Sequence, residues 1–225
     1  CREQAKTSAG TFDIHFTRPD GEEPPLSPLV MEQIRSGDVT GVLGIGISKP
    51  CALFIEEHLP LVTLAAWSSH IIGFDDVKFA QTAIRVLNEH GCGRIGLWTG
   101  VSPFYNLPPV SEWSWQNSPH VRFRDALREA DLRFDEKLVE DNGHLVPREG
   151  GRIEITIQEQ GYQTALRVFG QSRKKWPDGL VINDELLTHG AWRAFEKLGV
   201  EPGRDVHIVS HTNAGSQMLL GYEPY

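Results

Sequence analysis

Apolar residues along this chain fall into two alternating kinds of run. Short continuous runs, Val39 to Ile47, Pro60 to Ala66, Arg94 to Thr99, Leu180 to Ile182 and Val206 to Val209, are bounded by glycine or polar residues. That is the pattern of strands buried on both faces of a parallel sheet. Between them lie segments whose apolar positions recur every three or four residues: Leu29 to Ile34, Cys51 to His58, Val77 to Leu87, Val121 to Leu132, Gln158 to Phe169 and Glu185 to Gly199. Those spacings predict helices. Lys137 to Val139 adds a short strand, and Thr11 to Phe16 alternates like one after a helix tail, Cys1 to Ala9, closed by Gly10. Strand and helix in alternation predict an α/β fold of doubly wound type.

The clearest unit runs from Gly179 to Ser216. Leu180 to Ile182 ends in Asn183-Asp184, and Leu187, Ala191, Ala194, Phe195 and Leu198 then trace one helix face until Gly199 stops it. A second strand, Val206 to Val209, ends in Ser210, His211, Thr212 and Asn213. Strand, helix and strand in about thirty residues make a right-handed crossover, whose carboxyl strand ends are where open α/β sheets bind ligands. The polar or aromatic residues leaving strand ends are therefore the candidate ligand contacts: Trp67, Asp75, Asn183, His211 and Asn213. Asn183 leads because a carboxamide both donates and accepts, as reading a hydroxyl requires. A strand-end turn residue is its alternative role. Asp75-Asp76 opens a helix, where one carboxylate caps free amides, and Asp184 holds the turn from strand to helix.

Composition narrows the function. The chain has 225 residues, 40% of them hydrophobic, and a formal net charge of −8, so it offers no basic face for phosphates. The run Arg173-Lys174-Lys175 reads as a solvated helix end. No apolar run approaches a membrane span and no signal peptide is visible. Three cysteines, Cys1, Cys51 and Cys92, without Cys-x-x-Cys spacing, suit a reducing compartment. Nucleophile elbows, phosphate loops and zinc motifs are missing, and His207 and His211 lack a third ligand, so neither catalysis nor a metal or cofactor is expected. Gly44-x-Gly46 lacks the third glycine of a dinucleotide loop and more simply lets a buried strand pack closely. The loop from Val101 to Ser118 is long and aromatic, with Phe104, Tyr105, Trp113 and Trp115, and so either covers a cleft or meets a partner.

The order Asn183-Asp184, Gly190, Ala194-Phe195, Leu198-Gly199 and Asp205-Val206 resembles the effector-binding part of the lactose-repressor/galactose-repressor (LacI/GalR) family of bacterial transcription regulators. Upstream, Asp75-Asp76, Ala83, Leu87, Gly91, Arg94-Ile95 and Gly100 are similar to the family's next most regular stretch. The resemblance implies a periplasmic-binding-protein-like fold of type I: two doubly wound subdomains, here residues 1–98 and 99–225, with a ligand cleft between them. It implies a small sugar-like effector, a cytoplasmic homodimer using the helix from Leu26 to Gly37 and the segment Pro50 to His58, and an operator DNA bound through a helix-turn-helix outside this chain. It also implies that the first strand and the C-terminal tail are missing, making the chain a fragment. A solute-binding protein of a transporter shares this architecture and is the alternative. One departure stands out: Pro119 occupies the place of the family's ligand-clamping arginine, and Arg122 that of a glycine one turn on.

Overall fold

The alternation of strands and helices builds two separate parallel sheets. The computed structural model describes residues 13–15, 26–64, 68–101, 119–147, 149, 151 and 153–213. The chain divides into two units, Cys1–Phe74 and Asp75–Tyr225.

In the first unit, helix α1 (Pro28–Ser36) starts on Ser27, whose hydroxyl accepts a hydrogen bond from Val30 N at 3.4 Å, and stops at Gly37 in a left-handed conformation, φ 81°. Strand β1 (Val42–Ile45) leads to helix α2 (Lys49–Glu56), whose Pro50 sits in the first turn where its missing N–H is harmless. Strand β2 (Leu61–Leu64) and the short β3 (Ile71–Ile72) complete a sheet of order β1-β2-β3, all parallel. Strand β3 was not expected, since two residues are too few for a period to show. It is held by Thr63 N, which donates to His70 O at 2.9 Å, and by Ser68, whose hydroxyl contacts Thr63 Oγ1 at 2.8 Å and donates to His70 O at 2.7 Å. Leu26, Ile34, Cys51, Ala52 and Ile55 pack against one face of this sheet with Leu61. The expected strand from Thr11 to Phe16 is described only at 13–15, which are not in a strand; the helix tail from Cys1 to Ala9 lies outside the described residues, as do the aromatic loop residues Phe104 to Trp115.

The second unit contains α3 (Asp76–Glu89), β4 (Ile95–Trp98), α4 (Pro119–Glu129), β5 (Val139–Glu140), α5 (Ile157–Phe169), β6 (Gly179–Ile182), α6 (Glu185–Leu198) and β7 (His207–Ser210). Its sheet has the order β5-β4-β6-β7, all parallel, with Ile95 opposite Gly179 and Gly179 opposite His207. The two compact units meet between Phe74 and Asp75, whereas the subdomains expected from the resemblance divide near Trp98. The reason is packing. Strand β4 is bonded on both sides within the second sheet, and Ala80, Ala83, Ile84 and Leu87 of α3 bury against Leu97, Val181, Phe123 and Leu127.

On the other face, Trp98, Leu180 and Ile182 meet Ala165 and Phe169 of α5 and Leu187, Ala191, Ala194 and Phe195 of α6. Helices α5 and α6 touch backbone to backbone. A Cβ on Gly161 would overlap Leu187 O, and one on Gly190 would overlap Gln158 O and stand 2.9 Å from Tyr162 N. Two smaller expectations shift. Helix α4 ends at Glu129, short of Leu132, because Asp131 takes a left-handed conformation at φ 56°. Residues 136–138 form a 3₁₀ turn, so the strand begins only at Val139. Burial pushes the free thiols of Cys51 and Cys92 up to about 11.

Candidate functional site

The parallel sheet of the second unit brings the carboxyl ends of β4, β6 and β7 to one edge, and a concavity opens there. Its floor is apolar, formed by Ala80, Leu97, Phe123 and Val181; Asp76, Phe79, Pro119, Arg122 and Asn183 line the rest. Few polar groups meet an apolar floor there, and the cavity volume, about 10 Å³, is that of about one water molecule.

Asn183 is placed there by the ladder itself: its N–H donates to Trp98 O at 3.0 Å, continuing the β4–β6 pairing one residue past the strand. Its half-buried carboxamide has no hydrogen-bond partner among the described residues. The next residue, Asp184, is the N-cap of α6 and accepts from Leu187 N at 3.0 Å, the turn-holding role expected of it. Asp75 likewise caps α3, accepting from Lys78 N at 2.9 Å, while its neighbour Asp76 lines the concavity.

His211 stands beside the concavity. Its ring meets Phe79 edge-on, with centroids 6.2 Å apart, and its backbone N–H donates to Ile182 O at 3.3 Å. Asn213 is turned elsewhere: its backbone N–H and its Nδ2 donate to Glu185 Oε2 at 2.9 and 3.0 Å, tying the chain after β7 to the first turn of α6. Trp67 lies outside the described residues. Of the five candidates the structure thus puts Asn183 in the concavity, His211 next to it, and Asp75 and Asn213 in hydrogen bonds that hold helix starts.

Asp76, Phe79 and Phe123 join the lining without having been singled out. Both phenylalanines occupy apolar positions of helical repeats, where a core residue and a pocket residue look alike in sequence. Arg122 could be flagged only as a departure from the family's glycine. Behind the site a buried polar set fixes the exit of β4. Gln160 accepts from Val101 N at 2.9 Å and donates to Val101 O at 2.7 Å, and Asn142 donates to Thr99 O at 2.9 Å while accepting from Thr164 Oγ1 at 3.2 Å. Among the described residues no group of His, Cys, Asp and Glu could hold a metal ion, and no helix is long and apolar enough to cross a membrane.

No family model matches the sequence, and no curated protein matches it. Solved structures do. A regulatory protein of the LacI family from Chloroflexus aggregans superposes with a TM-score of 0.60 at 17% identity, over 81% of this chain and 60% of that protein. A LacI-family transcriptional regulator from Lactobacillus casei with bound sucrose gives a TM-score of 0.62 at 14% identity, over 92% of this chain and 70% of that one. The chain shares the fold of LacI-family regulators. The transcription regulator CcpA of Lactococcus lactis adds a TM-score of 0.57 at 22% identity, over 83% of this chain and 62% of its own. The chain accordingly spans 60% to 70% of the length of these three proteins.

Proposed function

We propose that this chain is the effector-sensing part of a bacterial LacI-type transcription regulator, in which a small sugar-like molecule bound at the Asn183 concavity controls DNA binding. The observation that carries the reading is the half-buried Asn183 carboxamide, without a partner among the described residues and set at a strand end in a fold shared with such regulators. A carboxamide donates and accepts at once, and Asp76 beside it accepts, which suits hydroxyl groups over an apolar floor. Control is linkage and not catalysis: the ligand shifts the protein toward the arrangement it binds more tightly, with a coupling on the order of 1 to 3 kcal/mol. DNA contact falls to a helix-turn-helix segment beyond these residues, the location is the cytoplasm, and the working unit is a homodimer. Leu29 on α1 and Leu53 on α2, 66% and 43% exposed, are the apolar residues that a dimer interface through the first unit would cover.

A thermal-shift screen of sugars, sugar phosphates and nucleosides tests the reading. A ligand at a hundred times its dissociation constant adds about 2.7 kcal/mol to stability. Asn183→Ala should weaken such a ligand by about 1 to 3 kcal/mol, because it leaves buried ligand hydroxyls unpaired. Unchanged affinity in a folded Asn183→Ala protein would remove the site from this strand end. Light scattering of the complete regulator at micromolar concentration should read a dimer, and a monomer would reject the assembly.

A further inference from the structure

Asn142 is followed by Gly143, the chain's single Asn-Gly pair, just after β5 and against the exit of β4. In an open chain such a pair converts itself. The Gly143 backbone nitrogen, its proton lost to base, attacks Asn142 Cγ. The new N–Cγ bond closes a cyclic succinimide, and the Cγ–Nδ2 bond breaks, Nδ2 leaving as ammonia with a proton from water. Water then opens the ring at either carbonyl, giving aspartate or isoaspartate. Glycine makes the pair labile because no Cβ shields its nitrogen.

We infer that Asn142 is a self-modification site, deamidating through succinimide, which the native fold holds shut and which reacts only when the connection after β5 separates from β4. Each group that must react is engaged. Nδ2 donates to Thr99 O at 2.9 Å and Oδ1 accepts from Thr164 Oγ1 of α5 at 3.2 Å, so the carboxamide is fixed on both sides. The Gly143 N–H donates to Asp141 Oδ1 at 2.9 Å, and a carboxylate there opposes loss of that proton. At ψ 10° the Asn142 backbone turns the Gly143 nitrogen away from the side chain it would attack. Asn142 is only 2% exposed, which keeps out the water that opens the ring. Its φ of 55° is left-handed, a conformation that asparagine tolerates better than most residues, so the same residue that clasps β4 is the labile one. Conversion is not undone by refolding. A carboxylate at this position has no proton to give Thr99 O and meets it as a second acceptor in a buried place, while isoaspartate also lengthens the backbone. The converted fraction therefore records how often this region opens, and each converted molecule keeps its β4 exit unclasped.

Peptide mapping by mass spectrometry, with aspartate and isoaspartate peptides separated by chromatography, tests the inference. The complete chain is incubated in mildly alkaline buffer, with and without enough urea to unfold it. Conversion at Asn142 is expected to be tenfold or more slower in native buffer than in urea. Asp141→Asn and Thr164→Val, each removing one restraint, should raise the native rate severalfold and leave the rate in urea within twofold. Asn142→Asp carries the product from the start, and by hydrogen exchange should lose protection around Thr99 to Val101 while α3 keeps its own. Equal rates in native buffer and urea, or folded variants that both react at the wild-type native rate, overturn the gating. No conversion in urea overturns the chemistry, and unchanged protection in Asn142→Asp overturns the unclasping.

Discussion

The two sheets of this molecule are written in similar residues and buried differently. Strands β4 and β6, Ile-Gly-Leu-Trp and Gly-Leu-Val-Ile, are buried at every position, with α3 and α4 on one face and α5 and α6 on the other. Strands β1 and β2, Val-Leu-Gly-Ile and Leu-Val-Thr-Leu, are as apolar, yet among the described residues only one face is covered; Leu43, Ile45 and Val62 on the other are 42%, 67% and 37% exposed. A continuous apolar run encodes a strand with cover on both faces. In the second unit that demand is met within the described residues, and in the first it is met on one side only. The second unit also has what the first lacks among these residues, a helix pair in backbone contact and a buried polar set at a strand exit.

The sharpest way to break this contrast is to separate the helix pair. Gly190→Ala places a methyl where Gln158 O already stands, and backbone on both sides leaves it no rotamer by which to escape. Overpacking of this kind costs about 3 kcal/mol or more when the obstructing atom is main chain. Hydrogen exchange read by mass spectrometry should show α5 and α6 losing protection while peptides from β1 and β2 keep theirs. Equal loss in both units would mean that they unfold as one and that the contrast has no energetic content.

Gly190 also shows where sequence reading stops. The family resemblance included it without giving a cause; the cause is a close approach that only the fold reveals. The crossover from Gly179 to Ser210 was legible, because a buried strand, an Asp N-cap, a helical repeat and a left-handed Gly199 at φ 66° are all local signals. The division at Phe74 was not legible. The helix after Asp75 carries a cap and an apolar face, but nothing in either states which sheet that face will bury against. At the candidate site Asn183 was legible as a polar residue at a strand end, and so was the capping of α3 by Asp75. Phe79 and Phe123 were hidden among core positions, and the engagement of Asn213 by Glu185 depends on a contact 28 residues back along the chain.

A gentler test compares the two sheets residue for residue. Val181→Thr puts a hydroxyl on a fully buried strand position, at a cost of about 1 to 3 kcal/mol. Ile45→Thr makes a similar change on the bare face of β1 and should stay within about 0.5 kcal/mol. Urea unfolding of both variants gives the ratio. If Ile45→Thr costs as much as Val181→Thr, the first sheet is covered on both faces in solution and the contrast is lost.

The smallest expected effect lies in the turn that feeds β7. Asp205 accepts from Glu201 N at 3.0 Å and from Arg204 at 3.4 Å, with Arg173 at 3.3 Å, and its side chain is 5% exposed. The backbone donor first, and then Arg204, favour the carboxylate and hold its pKa below the ordinary value of 3.8. A carboxyl group depressed in the folded state contributes stability that is complete above its unfolded pKa and is lost as pH falls through the folded one. Asp205→Asn keeps the shape and removes the titration. The melting temperature of the wild type should therefore exceed that of the variant from about pH 7 to about pH 5, and the gap should close as pH falls below the ordinary carboxylate value. A gap that stays constant down to about pH 3 would mean that Asp205 acts through packing and hydrogen bonding alone, with its charge irrelevant to the turn.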